Sequence, residues 1–245
     1  MKTHRPILAF AAMLIAATGP VWAGAKRPVV VELYTSQGCS SCPPADAILA
    51  RLADRKDVIA LSLPITYWDM LGWKDTLASD TNTRRQKAYA QVMGRGGVYT
   101  PQMIVDGVDD VVGSREAAVD SVIETHESDP RGVSVALTGT PRDLHVLVGQ
   151  SSTGTSEHGG DATIWIFQVM AKATVAIHAG ENEGRSMTYR NIVRDVRAAG
   201  VWKGQPVSLD LPRQEIMNDP HNLIAVIVQE NGYGRVIGAA MLGGQ

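Results

Sequence analysis

The stretch Gly38-Cys39-Ser40-Ser41-Cys42-Pro43-Pro44 constrains this chain more than any other. It holds both cysteines of the sequence. It stands between a β-rich apolar run, Val29 to Tyr34, and a segment, Pro43 to Asp54, that sets Ile48, Leu49 and Leu52 on one helical face. A strand that leads through Cys-x-x-Cys into a helix puts the first thiol at a helix N-terminus. There, outward-pointing amides and the helix dipole favour an anion. The setting stabilises a thiolate at Cys39, the species that attacks disulfides. Cys42, one turn on, is placed to close a disulfide and release a mixed-disulfide partner. Pro43 and Pro44 fit the first helical turn, where a missing N–H costs little. On this reading Cys39 is exposed and Cys42 shielded.

Other readings of the pair stay open. A structural staple across so few residues removes little chain entropy, about 2 kcal/mol against nearly 5 for a loop of about 100 residues. A metal site, as in a metallochaperone, needs more ligands than two thiolates. The sequence has no H-x3-5-H and no second cysteine pair, so His178 or His145 would have to be recruited by the fold. An inert pair inherited from an active ancestor is the third reading.

The compartment bears on this choice. Lys2, His4 and Arg5 precede an uninterrupted apolar run from Ile7 to Ala17, and Val21-Trp22-Ala23 then offers small residues at a signal peptidase's two reading positions. This three-part pattern is a secretory signal, residues 1–23, too short for a membrane anchor. It predicts cleavage near Ala23 and a periplasmic or secreted product, where thiol pairs form disulfides and persist. A net charge of −2 and a pI near 6.3 argue against a nucleic-acid partner. No later apolar run is long enough to span a membrane.

The rest divides into two textures. From 24 to 130, strand-like runs (Val29 to Tyr34, Val58 to Leu63, Gln102 to Val105, Val108 to Val112) alternate with helical segments, Pro43 to Asp54, a mostly helical Trp73 to Met93, and a last helix capped by Ser114. His126 to Gly132 reads as a linker. From 131 to 245, short alternating runs separated by glycine-rich turns predict an antiparallel β-sandwich. Asn191 to Ala199 fits a helix as well as a strand, and a helix would align Arg190, Arg194 and Arg197. Gly154 to Gly160 is a polar loop.

With these residues in view, 29–124 resembles the thioredoxin superfamily, in which a strand, Cys-x-x-Cys, helix, strand, helical excursion, Thr-Pro, hairpin and terminal helix follow in order. The expected fold class is therefore an α/β thioredoxin-like domain, 24–130, followed by a mainly β, sandwich-like domain, 131–245. More narrowly, the stretches Glu32 to Asp46, Tyr99 to Gln102 and Gly180 to Arg185 resemble a family of secreted thioredoxin-like proteins catalogued as a domain of unknown function. The resemblance implies a cis Thr100–Pro101 bond against the cysteine pair, with Pro101 catalytic and Thr100 pairing a bound peptide. It also implies a buried acid behind Cys42, a role that falls to Glu32, whose carboxylate in an apolar setting can take the Cys42 proton. Gln102, Tyr67 and Trp68 join Thr100 as candidate substrate-binding residues. The function expected is extracytoplasmic thiol–disulfide exchange with a thiol or disulfide protein substrate, the Cys39–Cys42 disulfide serving in place of a cofactor. The rival is a binding module for a peptide or envelope protein, with a structural or vestigial cysteine pair.

Overall fold

The computed structural model describes residues 27–129, 132–140, 142–150, 161–216 and 222–243. The expected signal segment and the Gly154–Gly160 loop lie outside them. In the first half run β1 (Val29–Thr35), α1 (Pro43–Leu52), β2 (Val58–Pro64), a 3₁₀ turn (Asp69–Leu71), α2 (Asp80–Val92), β3 (Gln102–Val105), β4 (Asp109–Val112) and α3 (Glu116–Glu127). The second half runs β5 (Val135–Gly139), β6 (Asp143–Val148), β7 (Ala162–Ala176), β8 (Ser186–Trp202), β9 (Val207–Pro212), α4 (Arg213–Ile216), β10 (Asn222–Glu230) and β11 (Val236–Leu242).

These elements overturn the expected fold class. The chain is not an α/β thioredoxin-like domain followed by a separate sandwich. One mixed sheet of eight strands runs through both halves in the order β11-β10-β7-β8-β2-β1-β3-β4, and a sheet of three strands, β5-β6-β9, accompanies it. The join is the parallel pairing of β2 with β8 at Ser62 and Ile192. Side chains reinforce it: the Asn191 amide donates to Ala60 O at 2.9 Å, and that of Asn82 donates to Pro64 O at 3.1 Å and Val193 O at 3.4 Å. The physical cause is an otherwise open β2 edge, which a long strand from the second half covers.

Strands β1 and β2 are buried on both faces, which is why their sequences read as continuous apolar runs. Val29, Val31 and Leu33 pack with Ala45, Ile48 and Leu49 of α1 and Val119 and Ile123 of α3. Val30 and Tyr34 face the other way, into a core shared with Tyr89 of α2, Phe167, Val193 and Ile227. That second core draws on both halves of the chain. The three-stranded sheet covers a third, through Leu144, Val146 and Val148 against Ile164, Ile166 and Val226. The β3–β4 turn is pinned to the β10–β11 turn: a Cβ on Gly107, at φ +74°, would lie 2.2 Å from Gly234 O.

Local expectations also change. Asn191 to Ala199 belongs to β8, so the arginine-bearing helix does not exist; Arg190 pairs with Asp54 and Arg194 donates to Leu77 O. Only Asp80–Val92 of the long helical segment is α-helix, started by Ser79, whose hydroxyl accepts the Asn82 N–H at 3.2 Å. Helix α3 begins after Arg115 with no side-chain cap from Ser114, and it takes in His126 and Glu127 from the expected linker.

Candidate functional site

Cys39 and Cys42 form a disulfide, with Cα atoms 5.4 Å apart, in the turn between β1 and α1. Turn bonds from Cys39 N–H to Ser36 O (3.1 Å) and from Cys42 N–H to Cys39 O (3.2 Å) fold the turn, and Cys42 is the N-cap of α1. The expected free helix amides are absent here. Pro43 and Pro44 carry no N–H, and the Ala45 and Asp46 amides both donate to Cys42 O. The polar group next to a Cys39 thiolate is instead the Ser41 hydroxyl, 3.4 Å from Sγ.

Cys39 is not exposed. Its relative accessibility is 1% and that of Cys42 is 0%. The β7–β8 connection holds the backbone of this turn. The Asn182 amide donates to both Gln37 O and Cys39 O at 2.9 Å, and the Glu181 carboxylate accepts the Ser40 N–H at 3.0 Å. These Ser40 contacts hold the Glu181 carboxyl below its usual range. The loop before Cys39 is anchored on its other side by Asp75, which accepts from Gln37 N–H at 2.8 Å, and by Trp73, which donates to the Gln37 side chain at 2.8 Å. Gly38 has a packing reason: a Cβ there would meet the Trp68 Cβ at 3.3 Å.

The Thr100–Pro101 bond is cis, and Pro101 is buried. Trp68 links this segment to the cysteine turn, since it packs beside Gly38 while its indole N–H donates to Thr100 Oγ1 at 2.7 Å. Tyr67 adjoins Trp68, with ring centroids 6.4 Å apart. Burial pushes its phenol up to about 12, opposed in part by Gln86 and Thr100. Thr100, Tyr67 and Trp68 therefore gather beside the turn. Gln102 does not present itself to a partner: it is 2% exposed, accepts from Gln86 at 2.9 Å and donates to Asp110 at 3.3 Å.

Glu32 is buried, but not behind Cys42. Strand alternation turns it to the face opposite α1, beside Tyr34 and Tyr89. Both carboxylate oxygens are taken by Arg85, at 2.6 and 2.8 Å, and also receive the Tyr34 and Tyr89 hydroxyls. On that face the carboxylate is not placed to reach Cys42, which lies on the α1 side of the sheet. The expected catalytic role of Glu32 is replaced by a structural one.

The acid of α1 is Asp46. It lies one turn after Cys42, is 7% exposed, and neither oxygen has a partner in full hydrogen-bond geometry among the described residues, although the Thr35 hydroxyl acts on it. Burial pushes its carboxyl up to about 8, opposed in part by the Thr35 hydroxyl and assisted by the Asp75 charge. Burial raises Asp75 as well, and it raises the Tyr189 phenol, to which Asp46 and Asp75 both add. Sequence reading passed over Asp46 because an acid in a first helical turn is ordinary. Its signal was the four-residue step from Cys42, which stacks the two on one helix face. Glu181 and Asn182 stand out in the sequence only as part of the Gly180 to Arg185 stretch, since nothing local ties them to Cys39.

Among the described residues, no group of three or more His, Cys, Asp and Glu is arranged to hold a metal ion. His178 packs its ring against Trp73, and His145 pairs with Asp210. No helix among the described residues is long and apolar enough to cross a membrane.

The family described as "Protein of unknown function (DUF1223)" matches residues 30–229. A crystal structure of a protein from Agrobacterium tumefaciens is similar at 31% identity, over 91% of this chain and 97% of that one, with a TM-score of 0.78. HBP35 of Porphyromonas gingivalis shares the fold at 12% identity, over 90% of this chain and 76% of that one, with a TM-score of 0.63. No curated protein matches the chain.

Proposed function

The chain belongs to the DUF1223 family, whose description carries no activity, and from the site itself we propose that it is an extracytoplasmic thiol–disulfide oxidoreductase acting through Cys39 and Cys42. One observation carries this reading: the disulfide closes a Cys-x-x-Cys turn at the start of α1, with a buried carboxyl, Asp46, one turn behind it. A staple over so short a loop contributes little stability. A protonated acid beside a leaving thiolate has a chemical use.

In the oxidising direction, a substrate thiolate attacks Cys39 Sγ. The Cys39–Cys42 bond breaks, and Cys42 leaves with the electron pair. The Asp46 carboxyl, protonated at neutral pH by its burial, gives Cys42 its proton. The substrate's second thiolate then attacks its own sulfur in the mixed disulfide and expels Cys39, which is protonated from solvent. Two electrons pass to the protein, and the substrate dithiol becomes a disulfide; the reverse sequence reduces one. The sulfur pair carries the electrons, so the chemistry draws on no organic cofactor. The basic start and apolar run of residues 1–23 support an oxidising compartment.

The burial of both sulfurs favours a second reading, a binding module whose cysteine pair is structural. Trapping separates the two. Cys42→Ser should accumulate mixed disulfides through Cys39 when mixed with an envelope extract, and Cys39→Ser should not. No adduct on either variant, with both folded, favours the binding module.

A further inference from the structure

Attack on a disulfide needs a sulfur in line with the incoming thiolate, and neither sulfur is reachable as the chain stands. One compact loop, residues 177–185 between β7 and β8, binds the backbone of the cysteine turn. It holds its own shape: Ile177 N–H donates to Arg185 O, Gly184 N–H to Ile177 O, and Glu183 N–H to Gly180 O, with Gly180 and Gly184 at positive φ. Its grip on the cysteine turn is three hydrogen bonds, two from the Asn182 amide and one to the Glu181 carboxylate. That grip is imperfect. The Asn182 Oδ1 atom is buried with no hydrogen-bond partner among the described residues, and a buried acceptor left unsatisfied is costly.

We propose that this loop is a displaceable cover, and that a polypeptide segment of the substrate protein takes its place. The inference rests on the redox reading. When the loop leaves, it uncovers two acceptors, Gln37 O and Cys39 O, and one donor, the Ser40 N–H. Backbone amides and carbonyls flanking a substrate cysteine supply the matching donors and acceptor, without a stranded Oδ1. Asn182 and Glu181 thus hold the place of a peptide. A small dithiol has no groups to offer these positions and waits for spontaneous opening. The second half of the chain thereby guards chemistry carried by the first.

The test measures the rate of disulfide reduction, followed by alkylation and mass spectrometry, in the full-length protein. Reductants are dithiothreitol, a reduced cysteine peptide, and the same peptide N-methylated at the amides flanking its cysteine. Asn182→Ala should speed reduction by dithiothreitol about tenfold, the worth of roughly one net hydrogen bond. Asn182→Asp, which turns a carboxylate toward two carbonyls, should speed it further. N-methylation should slow the peptide on wild-type protein several-fold. Unchanged dithiothreitol rates in both variants overturn the cover, and equal rates for the two peptides overturn the peptide's role. Hydrogen exchange on wild-type protein provides a variant-free check: residues 177–185 should open faster than β7 and β8 beside them, and equal protection counts against the cover. A disulfide too reducing to exchange, with the variants still accelerated, removes the redox reading and leaves the cover standing.

Discussion

Replacing Arg85 by methionine tests whether Glu32 is held as one half of a buried ion pair. The two side chains are 2% and 1% exposed, and the guanidinium reaches both carboxylate oxygens. Four rings enclose the cation, with Tyr89, Trp165, Phe167 and Tyr233 centroids 4.9 to 5.5 Å from its central carbon. Arg85 also donates to the Tyr89 hydroxyl at 2.9 Å and to Gln229 at 3.1 Å, so it ties α2 and β1 to β10. Methionine fills the volume but leaves Glu32 charged and buried, with two tyrosine hydroxyls as its remaining partners. Breaking such a pair costs about 3–5 kcal/mol, a large part of a typical stability of about 5–15 kcal/mol. Glu32→Leu should cost a similar amount, because it strands the cation. The double variant Glu32→Leu/Arg85→Met buries no charge and should lose only about 1–3 kcal/mol, for the tyrosine hydroxyls left without an acceptor. Urea unfolding of the oxidised proteins, at constant m, reads the cycle. A loss below about 1 kcal/mol for Arg85→Met, or additive single losses, would mean that the pair is hydrated and the core open there.

Asp46→Asn should change the pH dependence of both exchange and stability. A folded pKa of about 8, above the usual carboxylate value, means that the native state holds the extra proton; stability then falls as pH rises from about 4 through 8. The asparagine variant should lose that slope in thermal melts and slow Cys42 protonation in exchange assays, whereas Glu32→Gln should leave the pH profile of exchange in place. His126 has the same sign by another route. Hydrogen bonding to Asp106, at 3.2 Å, raises its pKa, so its contribution is complete below about 6.5 and lost as pH rises through the folded value. His126→Gln should cost about 1–3 kcal/mol at pH 6 and less at pH 9 in the same melts. Residues 24–130 expressed alone should lack a cooperative unfolding transition by circular dichroism, because Phe167, Val193, Ala225 and Ile227 complete the core around Tyr34 and Leu61.

The short buried strands and the strand–cysteine–helix turn were legible because both are local. Val29 to Tyr34 and Val58 to Leu63 announce burial on two faces, and Pro43-Pro44 announces a helix start. That same two-faced burial hid the orientation of Glu32, since apolar neighbours on both sides conceal which face is which. β8 was ambiguous for a different reason. Its register with β7 skips Arg194 and Ala199, and two bulges break the two-residue period, so that Ile192, Val193, Val196 and Ala199 imitate a helix. Sheet order was beyond local reading, because the partner of Ser62 is Ile192. The cover was hidden likewise: Asn182 reaches Cys39 through the fold alone.

The most direct measurement of the central claim is a glutathione redox titration of the protein, following the Cys39–Cys42 pair by alkylation and mass spectrometry. An exchange-active pair is expected to titrate with a potential above about −300 mV and to reach equilibrium reversibly from either direction. A pair that stays oxidised at every glutathione ratio, with a potential below about −300 mV, has the behaviour of a structural disulfide and contradicts the oxidoreductase reading.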